Sequence, residues 1–127
     1  MPFADLSIIE FLEAVADGTP TPGGGAVAAV AGAAGAALCE MVCAITEETV
    51  ENSGLTDRRG ELERRRSHLL DLADRDSTAI DDLMVAIQHP DDTPTHEVRA
   101  AVKAAITVPL ETAEDCLVVL ENAETIV

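Results

Sequence analysis

Apolar residues recur along most of the chain at the three- and four-residue steps of α-helices. The first such segment covers residues 5 to 17, and Gly18 ends it. The TPTP sequence that follows favours an extended backbone leading into three consecutive glycines. We therefore expect a short amphipathic helix followed by a glycine turn. Its apolar face comprises Ile8, Phe11, Leu12 and Val15.

The second segment, from Ala26 to about Thr46, consists almost entirely of small or apolar residues. As a helix it would be about 30 Å long, which also suffices to span a bilayer. Alanine and glycine are only weakly apolar, however, Glu40 interrupts the run, and no basic residues flank it. We therefore favour a helix of a soluble bundle or dimer, in which Gly32 and Gly35 let a neighbouring helix approach closely.

Two longer helices are predicted in the rest of the chain. A polar turn from Glu47 to Gly54 should precede a helix from about Thr56 to Ile87. The loop from His89 to Thr95 contains residues that commonly begin helices, because Thr93 could cap a helix with Pro94 at its first position, or Thr95 could be the cap. A last helix should run from there towards Val127 with an interruption at Pro109. The predicted apolar face of the third helix comprises Leu62, Leu69, Leu72, Ala73, Ile80, Leu83, Met84 and Ile87. That of the last helix comprises Val98, Val102, Ala105, Ile106, Leu110, Ala113, Leu117 and Leu120.

The sequence has no strand pattern and no repeats, so the predicted fold class is all-α. We expect a single domain over residues 1–127, an antiparallel bundle of long helices. Of its 60 hydrophobic residues 21 are alanine, with two phenylalanines and no tryptophan or tyrosine. Such residues bury little area each, so we expect association between subunits to complete the core.

The charge balance restricts the partners and the compartment. Twenty-four acidic residues face only eight basic ones, of which seven are arginine and one is Lys103, giving a formal net charge of −16. Such a surface repels nucleic acids and anionic membranes, so neither is expected as a partner. An acidic, lysine-poor surface is typical of a folded protein in a salt-rich, halophilic cytoplasm. The N-terminus has no basic region or signal sequence, which favours a cytoplasmic location.

The three cysteines do not form a disulfide framework. Cys39 and Cys43 lie four residues apart on one helix, but no histidine is near them in the sequence. We interpret both, with Cys116, as reduced core cysteines rather than ligands of a metal. No metal site is therefore predicted.

Asp76 is the strongest single candidate for chemistry. It lies four residues after Leu72 and four before Ile80, so it shares the buried face of the third helix. An unpaired carboxyl on such a face has a raised pKa, which suits general acid or base catalysis. The alternative is a buried aspartate that binds an arginine or a helix N-terminus.

Other motifs add little. His68, His89 and His96 lie among charged residues and are interpreted as solvated surface. No Ser/His/Asp, HExxH, P-loop or CxxC pattern occurs, and the glycine triplet is not GxGxxG. A glycine turn that opens a helix can nevertheless bind an anion or another ligand, because the first helical amides have no internal partners.

Three segments, FLEAVADGTPTPGGGAVAAVAGAAGAALCEMV, LADRDSTAIDDLM and ITVPLETAE, occur in an order and spacing that resemble a known family. This is the formiminotransferase-cyclodeaminase family, in its cyclodeaminase/methenyltetrahydrofolate cyclohydrolase domain. The resemblance covers essentially the whole chain, and it implies that the family's C-terminal part is missing. It implies an all-α homodimer that acts on a folate substrate without a metal or another cofactor.

Two activities follow from the resemblance. Members either close formiminotetrahydrofolate to the methenyl compound with loss of ammonia or hydrolyse the methenyl compound to formyltetrahydrofolate. We expect Asp76 to be the catalytic residue, and the substrate-binding residues to be Thr21, Pro22, Gly23, Gly24 and Gly25. The alternative is a truncated or divergent, non-catalytic helical dimer that retains the scaffold. A small membrane-associated helical protein is a third alternative.

Overall fold

A computed structural model describes residues 1–49 and 53–126, with the side chain of Ser53 left out of the description. After a 3-10 turn at Phe3–Asp5, the described chain forms four α-helices. No strand occurs in these residues, so the predicted all-α class is confirmed. The helices are α1 (Ile8–Ala16), α2 (Gly24–Thr49), α3 (Ser53–Gln88) and α4 (Thr95–Ile126).

Helices α2, α3 and α4 form an antiparallel bundle with α3 in contact with both others. The direction follows from the pairs that join the helices. Glu40 and Glu47 of α2 bind Arg66 and Arg59 of α3, respectively, so α3 runs back along α2. Arg75 of α3 likewise binds Glu111 of α4, whereas Arg58 reaches Asn122. The predicted antiparallel arrangement is therefore present.

The core is built from the alanine face of α2 against leucines of α3. Gly32 lies where α2 meets both other helices: a Cβ atom there would come within 2.7 Å of Cys116 Sγ and 3.2 Å of Leu69 Cδ1. The expected close helix contact is thus present at Gly32. At Gly35 an added Cβ would make an ordinary contact, 3.9 Å from Val119. The buried core includes Ala26, Ala29, Ala33, Ala36, Cys43, Leu62, Leu69, Leu72 and Ala73.

The N-terminal segment packs on α3 through few residues. Ser7 begins α1 with a capping box in which its side chain and that of Glu10 each bind the other's backbone N–H. Phe3 donates its backbone N–H to Asp74 at 2.9 Å, and its ring meets the Phe11 ring edge-on. Phe11 is buried, but the rest of the predicted α1 face is not: Ile8 is 80% exposed.

The boundaries of the long helices differ from the predicted ones. Helix α2 begins at Gly24 and continues to Thr49, and α3 already begins at Ser53 and includes Gly54. The predicted turn from Glu47 to Gly54 is therefore wrong at both ends, and residues 50–52 lie outside the described residues. Because Arg59 binds Glu47, contacts between the helices hold this end of α2 in helical form despite its polar sequence.

Pro109 does not interrupt α4. The helix is continuous from Thr95 to Ile126 with the proline inside it. Proline removes one backbone hydrogen bond and crowds the carbonyl four residues earlier. Its ring is exposed, and the buried residues that flank it, Ala101 and Val108 before it and Thr112 after it, keep α4 packed on the bundle.

The inward face of α4 also differs from the predicted one. The face that the apolar pattern selected is largely exposed, with Ile106, Leu110, Leu117 and Leu120 each more than half exposed. Half of the residues that face the bundle are polar, which is why apolar periodicity missed this face. The buried residues of α4 are Ala101, Val108, Thr112, Asp115, Val119 and Asn122.

Helix α2 is the one helix of the described residues that is long and apolar enough to cross a membrane, by length and composition alone. Such helices also occur in the cores of soluble proteins. Here α2 buries its small residues against α3 and exposes larger ones on its opposite side. We call these the α2 outer face: Val27, Leu38, Met41, Val42 and Ile45.

Candidate functional site

The glycine loop connects α1 to α2 over residues 17–23. Gly18 has a φ of 84°, a left-handed conformation that glycine adopts without strain. The Thr19 hydroxyl donates to the carbonyl of Thr21 at 2.9 Å, and the Thr21–Pro22 peptide is cis with Pro22 buried. Local hydrogen bonding thus shapes the loop before it reaches the helix.

Gly25 makes room for Asp76, the carboxylate predicted to be catalytic. A Cβ atom on Gly25 would lie 2.5 Å from Cγ and 2.6 Å from Oδ2 of Asp76, far inside van der Waals contact. Gly24 faces open space, where a Cβ would meet nothing within 4 Å. At Gly23 the limit is the loop itself, because a Cβ there would lie 2.9 Å from the Pro20 carbonyl oxygen. The lack of a side chain is therefore required at Gly25 by Asp76 and at Gly23 by the loop, and at Gly24 it is not required by any contact.

Asp76 is 6% exposed, as its place in the helical period predicts. Burial raises the pKa of Asp76, and the hydrogen bond that the Ala26 backbone N–H donates to the carboxylate offsets part of that rise. No salt bridge to Asp76 is found within residues 1–49 and 53–126. Of the two structural alternatives, the helix N-terminus is therefore the observed partner, and the arginine is not.

The loop is also bound to α3 one turn further on. The Thr21 hydroxyl donates to Oδ1 of Asp81 at 2.8 Å. Thr21, Gly25 and Asp76 are thus brought to one corner of the molecule, where the loop, the start of α2 and the middle of α3 meet. The sequence-predicted site residues lie together in the structure. Their roles in binding and catalysis remain predictions.

The occupied helix N-terminus changes the expected electrostatics of this corner. The Asp76 carboxylate lies against Gly25 and interacts with the Ala26 N–H at the start of α2. A second anion at the same amide would be repelled by that carboxylate whenever it is ionised. The corner is therefore better suited to a cationic group than to an anionic one.

Sequence reasoning missed a second polar cluster between α3 and α4. Asp115 is only 2% exposed, and its two oxygens bind different side chains of α3. Oδ1 lies 2.7 Å from Nη1 of Arg65, and Oδ2 lies 2.5 Å from Nδ1 of His68. His68 is therefore a partly buried, oriented imidazole rather than freely solvated surface. The sequence feature that could have indicated this cluster is the seven-residue spacing of Val108, Asp115 and Asn122, which places all three on one face of α4.

The remaining predicted features agree with their interpretation. His89 and His96 are exposed, as expected for solvated residues. The three cysteines are free, and burial raises the pKa of each thiol. The described residues contain no group of three or more His, Cys, Asp or Glu side chains arranged to hold a metal ion. The expectation of a reaction without a metal or cofactor stays a prediction.

A groove also runs between the second half of α3 and the first half of α4. Two depressions, of about 750 and 500 Å³, share Asp82, Ala100 and Ala104 in their walls. Alanines at the contact leave this space open, while charged residues such as Asp74 and Lys103 form its edges. Neither depression includes Asp76 or the three glycines, so the groove and the glycine corner are separate features.

Comparison with known proteins finds a family match and a similar protein. The sequence profile of a family described as formiminotransferase-cyclodeaminase matches residues 7–127. A methenyltetrahydrofolate cyclohydrolase from Methylorubrum extorquens is 35% identical over 130 residues, covering 94% of this chain. The chain spans 62% of that relative's length. With nearly its whole length matched, the chain belongs to the formiminotransferase-cyclodeaminase family.

Proposed function

We propose that this protein is an enzyme of folate one-carbon metabolism, a methenyltetrahydrofolate cyclohydrolase, a formiminotetrahydrofolate cyclodeaminase, or both. The observation that carries the proposal is the buried Asp76 carboxylate against Gly25 at the start of α2. The relative's cyclohydrolase activity and the family match support the substrate class.

The reaction matches the electrostatics of the glycine corner. In methenyltetrahydrofolate a cationic carbon bridges two nitrogens, and the Asp76 carboxylate would stabilise that charge. As a general base it would take a proton from the water whose oxygen bonds to the bridge carbon. The same proton would then pass to the nitrogen whose bond to that carbon breaks, while the remaining hydroxyl proton leaves to solvent and the carbon becomes a formyl group. In cyclodeamination the second folate nitrogen would bond to the formimino carbon, and protonated Asp76 would give its proton to the amino nitrogen, which leaves as ammonia.

The proposed substrate-binding residues surround this carboxylate. Thr21, Pro22 and Gly23 to Gly25 would form the wall against the ring system, with Asp81 holding the loop through Thr21. The anionic glutamate tail of the substrate would bind the amides of Gly23 to Gly25 or an arginine. No metal and no further cofactor enters the proposed mechanism.

We further propose that the protein acts as a cytoplasmic homodimer joined through the α2 outer face. This face exposes Leu38, Met41 and Ile45 by 61, 51 and 57%. Apolar side chains in such a row favour a partner surface over water. A second copy is a better partner than a bilayer, because Glu40 lies within the run and binds Arg66 of α3. The acidic surface favours a salt-rich cytoplasm.

The test is loss of the methenyltetrahydrofolate absorbance on addition of the purified protein, compared with the uncatalysed rate. Release of ammonia from formiminotetrahydrofolate would be measured in parallel. We expect Asp76→Asn to lower turnover by about 10²- to 10⁴-fold, the usual contribution of a general acid or base. The fold should persist, since an amide oxygen can still accept from Ala26.

Asp71→Asn is the matched control, because Asp71 is an exposed aspartate of the same helix. It should keep the wild-type rate. Equal turnover in wild type and Asp76→Asn would remove Asp76 from the mechanism. If wild type has no activity on either substrate, the non-catalytic helical dimer is the remaining function.

A further inference from the structure

Basic residues are concentrated in one stretch of this acidic protein. Five of the seven arginines fall between residues 58 and 66, in a chain with a formal net charge of −16. Four of the five bind a side chain of α2 or α4. Arg64 is the exception: within the described ranges no hydrogen bond or salt bridge engages its guanidinium. The four bound arginines are Arg58, Arg59, Arg65 and Arg66.

Arg64 lines a depression of about 280 Å³ together with Glu61, Arg65 and His68. Three of these four side chains are basic. Two of them, Arg65 and His68, are bound by the two carboxylate oxygens of the buried Asp115, which contacts Nδ1 of His68. Since Nδ1 faces a carboxylate, it carries the hydrogen, and Nε2 is the ring atom left for a ligand. Arg65 and His68 are thus oriented before any ligand arrives.

We propose that this depression, the Arg64–His68 site, binds the carboxylate or phosphate group of an anionic ligand. The planar guanidinium of Arg64 has the geometry to bind two oxygens of such a group, and the His68 ring lines the same depression. Arg65 lines the same depression, but the buried Asp115 that fixes its position also balances its charge. Within the described residues Arg64 is the cation of this depression without an ion pair, so its guanidinium supplies the attraction for an anion in a chain of formal net charge −16.

Glu61 opposes binding and gives the proposal a sharp test. Its carboxylate lines the same depression and lies 3.9 Å from Arg65. Removing this negative charge should strengthen binding of an anion, whereas removing the Arg64 charge should weaken it. A surface that binds nothing would show neither effect.

The Arg64–His68 site is distinct from the glycine corner. Arg64 and His68 precede Asp76 by twelve and eight residues on α3, about 18 and 12 Å along the helix axis. The Asp115 contacts of the site join α3 to α4, while Asp76 contacts the start of α2. The proposal therefore does not depend on the proposed function.

The experiment follows the ring signals of the three histidines by NMR in the full chain. Inorganic phosphate and p-aminobenzoylglutamate are titrated separately at constant ionic strength, with chloride as the reference salt. We expect a saturable shift of the His68 signals with a dissociation constant of about 1 mM, and none for His89 or His96. Saturation by phosphate alone would identify a free anion, and saturation by both would identify a carboxylate-bearing ligand as well.

Four variants complete the test. Arg64→Gln should weaken binding about 10-fold or more, and Glu61→Gln should strengthen it about 2- to 5-fold. Arg64→Lys should retain part of the affinity, because lysine keeps the positive charge but lacks the planar guanidinium that can bind two oxygens at once. Arg99→Gln, at an exposed arginine on α4, should change nothing. Shifts that chloride reproduces, or affinity that survives in Arg64→Gln, would overturn the proposal. Thermal unfolding of each variant confirms that it is folded.

Discussion

Gly25 and Asp76 determine the geometry of the glycine corner at the scale of single residues. The burial of Asp76 could be predicted from the sequence, because Leu72 and Ile80 fix its place in the helical period. Its contact with Gly25 could not be predicted. That contact depends on how far α3 is displaced along α2, and no local pattern encodes this displacement.

Gly25→Ala should destabilise the protein by about 1–3 kcal/mol, because the new methyl group would overlap the Asp76 carboxylate. Gly24→Ala is the matched control, since a Cβ there meets open space and alanine favours the helix. Urea unfolding of both variants measures the difference. Equal stability of the two would contradict the contact between Gly25 and Asp76.

The raised pKa of Asp76 predicts a pH-dependent effect of Asp76→Asn on stability. The folded protein binds this proton more tightly than the unfolded chain, whose aspartates have a pKa of about 3.9. The stability gained from protonated Asp76 is complete below that pH and is lost as pH rises through the higher folded pKa. Asparagine does not ionise, so the variant escapes this loss.

The melting temperature of Asp76→Asn relative to wild type should therefore rise as pH increases above about 4, the pKa of an unfolded aspartate. Taking the difference cancels the titration of the other carboxylates, which both proteins share. A difference that stays flat or falls with pH would contradict the burial of an ionised Asp76.

At the scale of elements, helix existence could be predicted better than helix orientation. The apolar period located the helices, but in α4 it selected the exposed face that includes Ile106 and Leu117. The buried face contains Asp115 and Asn122, whose burial is stabilised by bonds to Arg65, His68 and Arg58. Polar partners on another helix cannot be recognised from α4 alone.

Gly32 and Gly35 of α2 should respond oppositely to alanine. Gly32→Ala should destabilise the bundle by about 1–3 kcal/mol, because Cys116 and Leu69 occupy the space of the new methyl group. Gly35→Ala should be neutral or stabilise by up to about 1 kcal/mol through helix propensity. Thermal unfolding distinguishes them, and a stabilised Gly32→Ala would show that α2 lies further from α4 than observed.

On the scale of the whole molecule, the small bundle leaves much apolar surface in water. The shortage of large side chains, which the composition indicated, has a structural counterpart in the α2 outer face and the exposed apolar row of α4. Which of these rows a second copy covers could not be predicted from the sequence, because both have the same helical period. Our proposal assigns the α2 outer face to the homodimer.

Leu38→Glu should shift the protein from dimer to monomer, since it places a charge in the middle of the α2 outer face. Leu117→Glu, a matched change on the exposed row of α4, should leave the dimer intact. Sedimentation velocity at high salt measures both, with helicity checked by circular dichroism. Dissociation by Leu117→Glu alone would place the interface on α4, and a monomeric wild type would contradict the proposed homodimer.

The contact between Gly25 and Asp76 also constrains how this protein can evolve. The side chains at positions 25 and 76 occupy the same small volume. A substitution to a larger residue at one position therefore requires a smaller residue at the other. A descendant with alanine at position 25 should therefore carry a shorter residue at position 76, and would lose the carboxylate in the process. Gly25 is in this sense as diagnostic of the ancestral chemistry as Asp76 itself, even though it contributes no functional group.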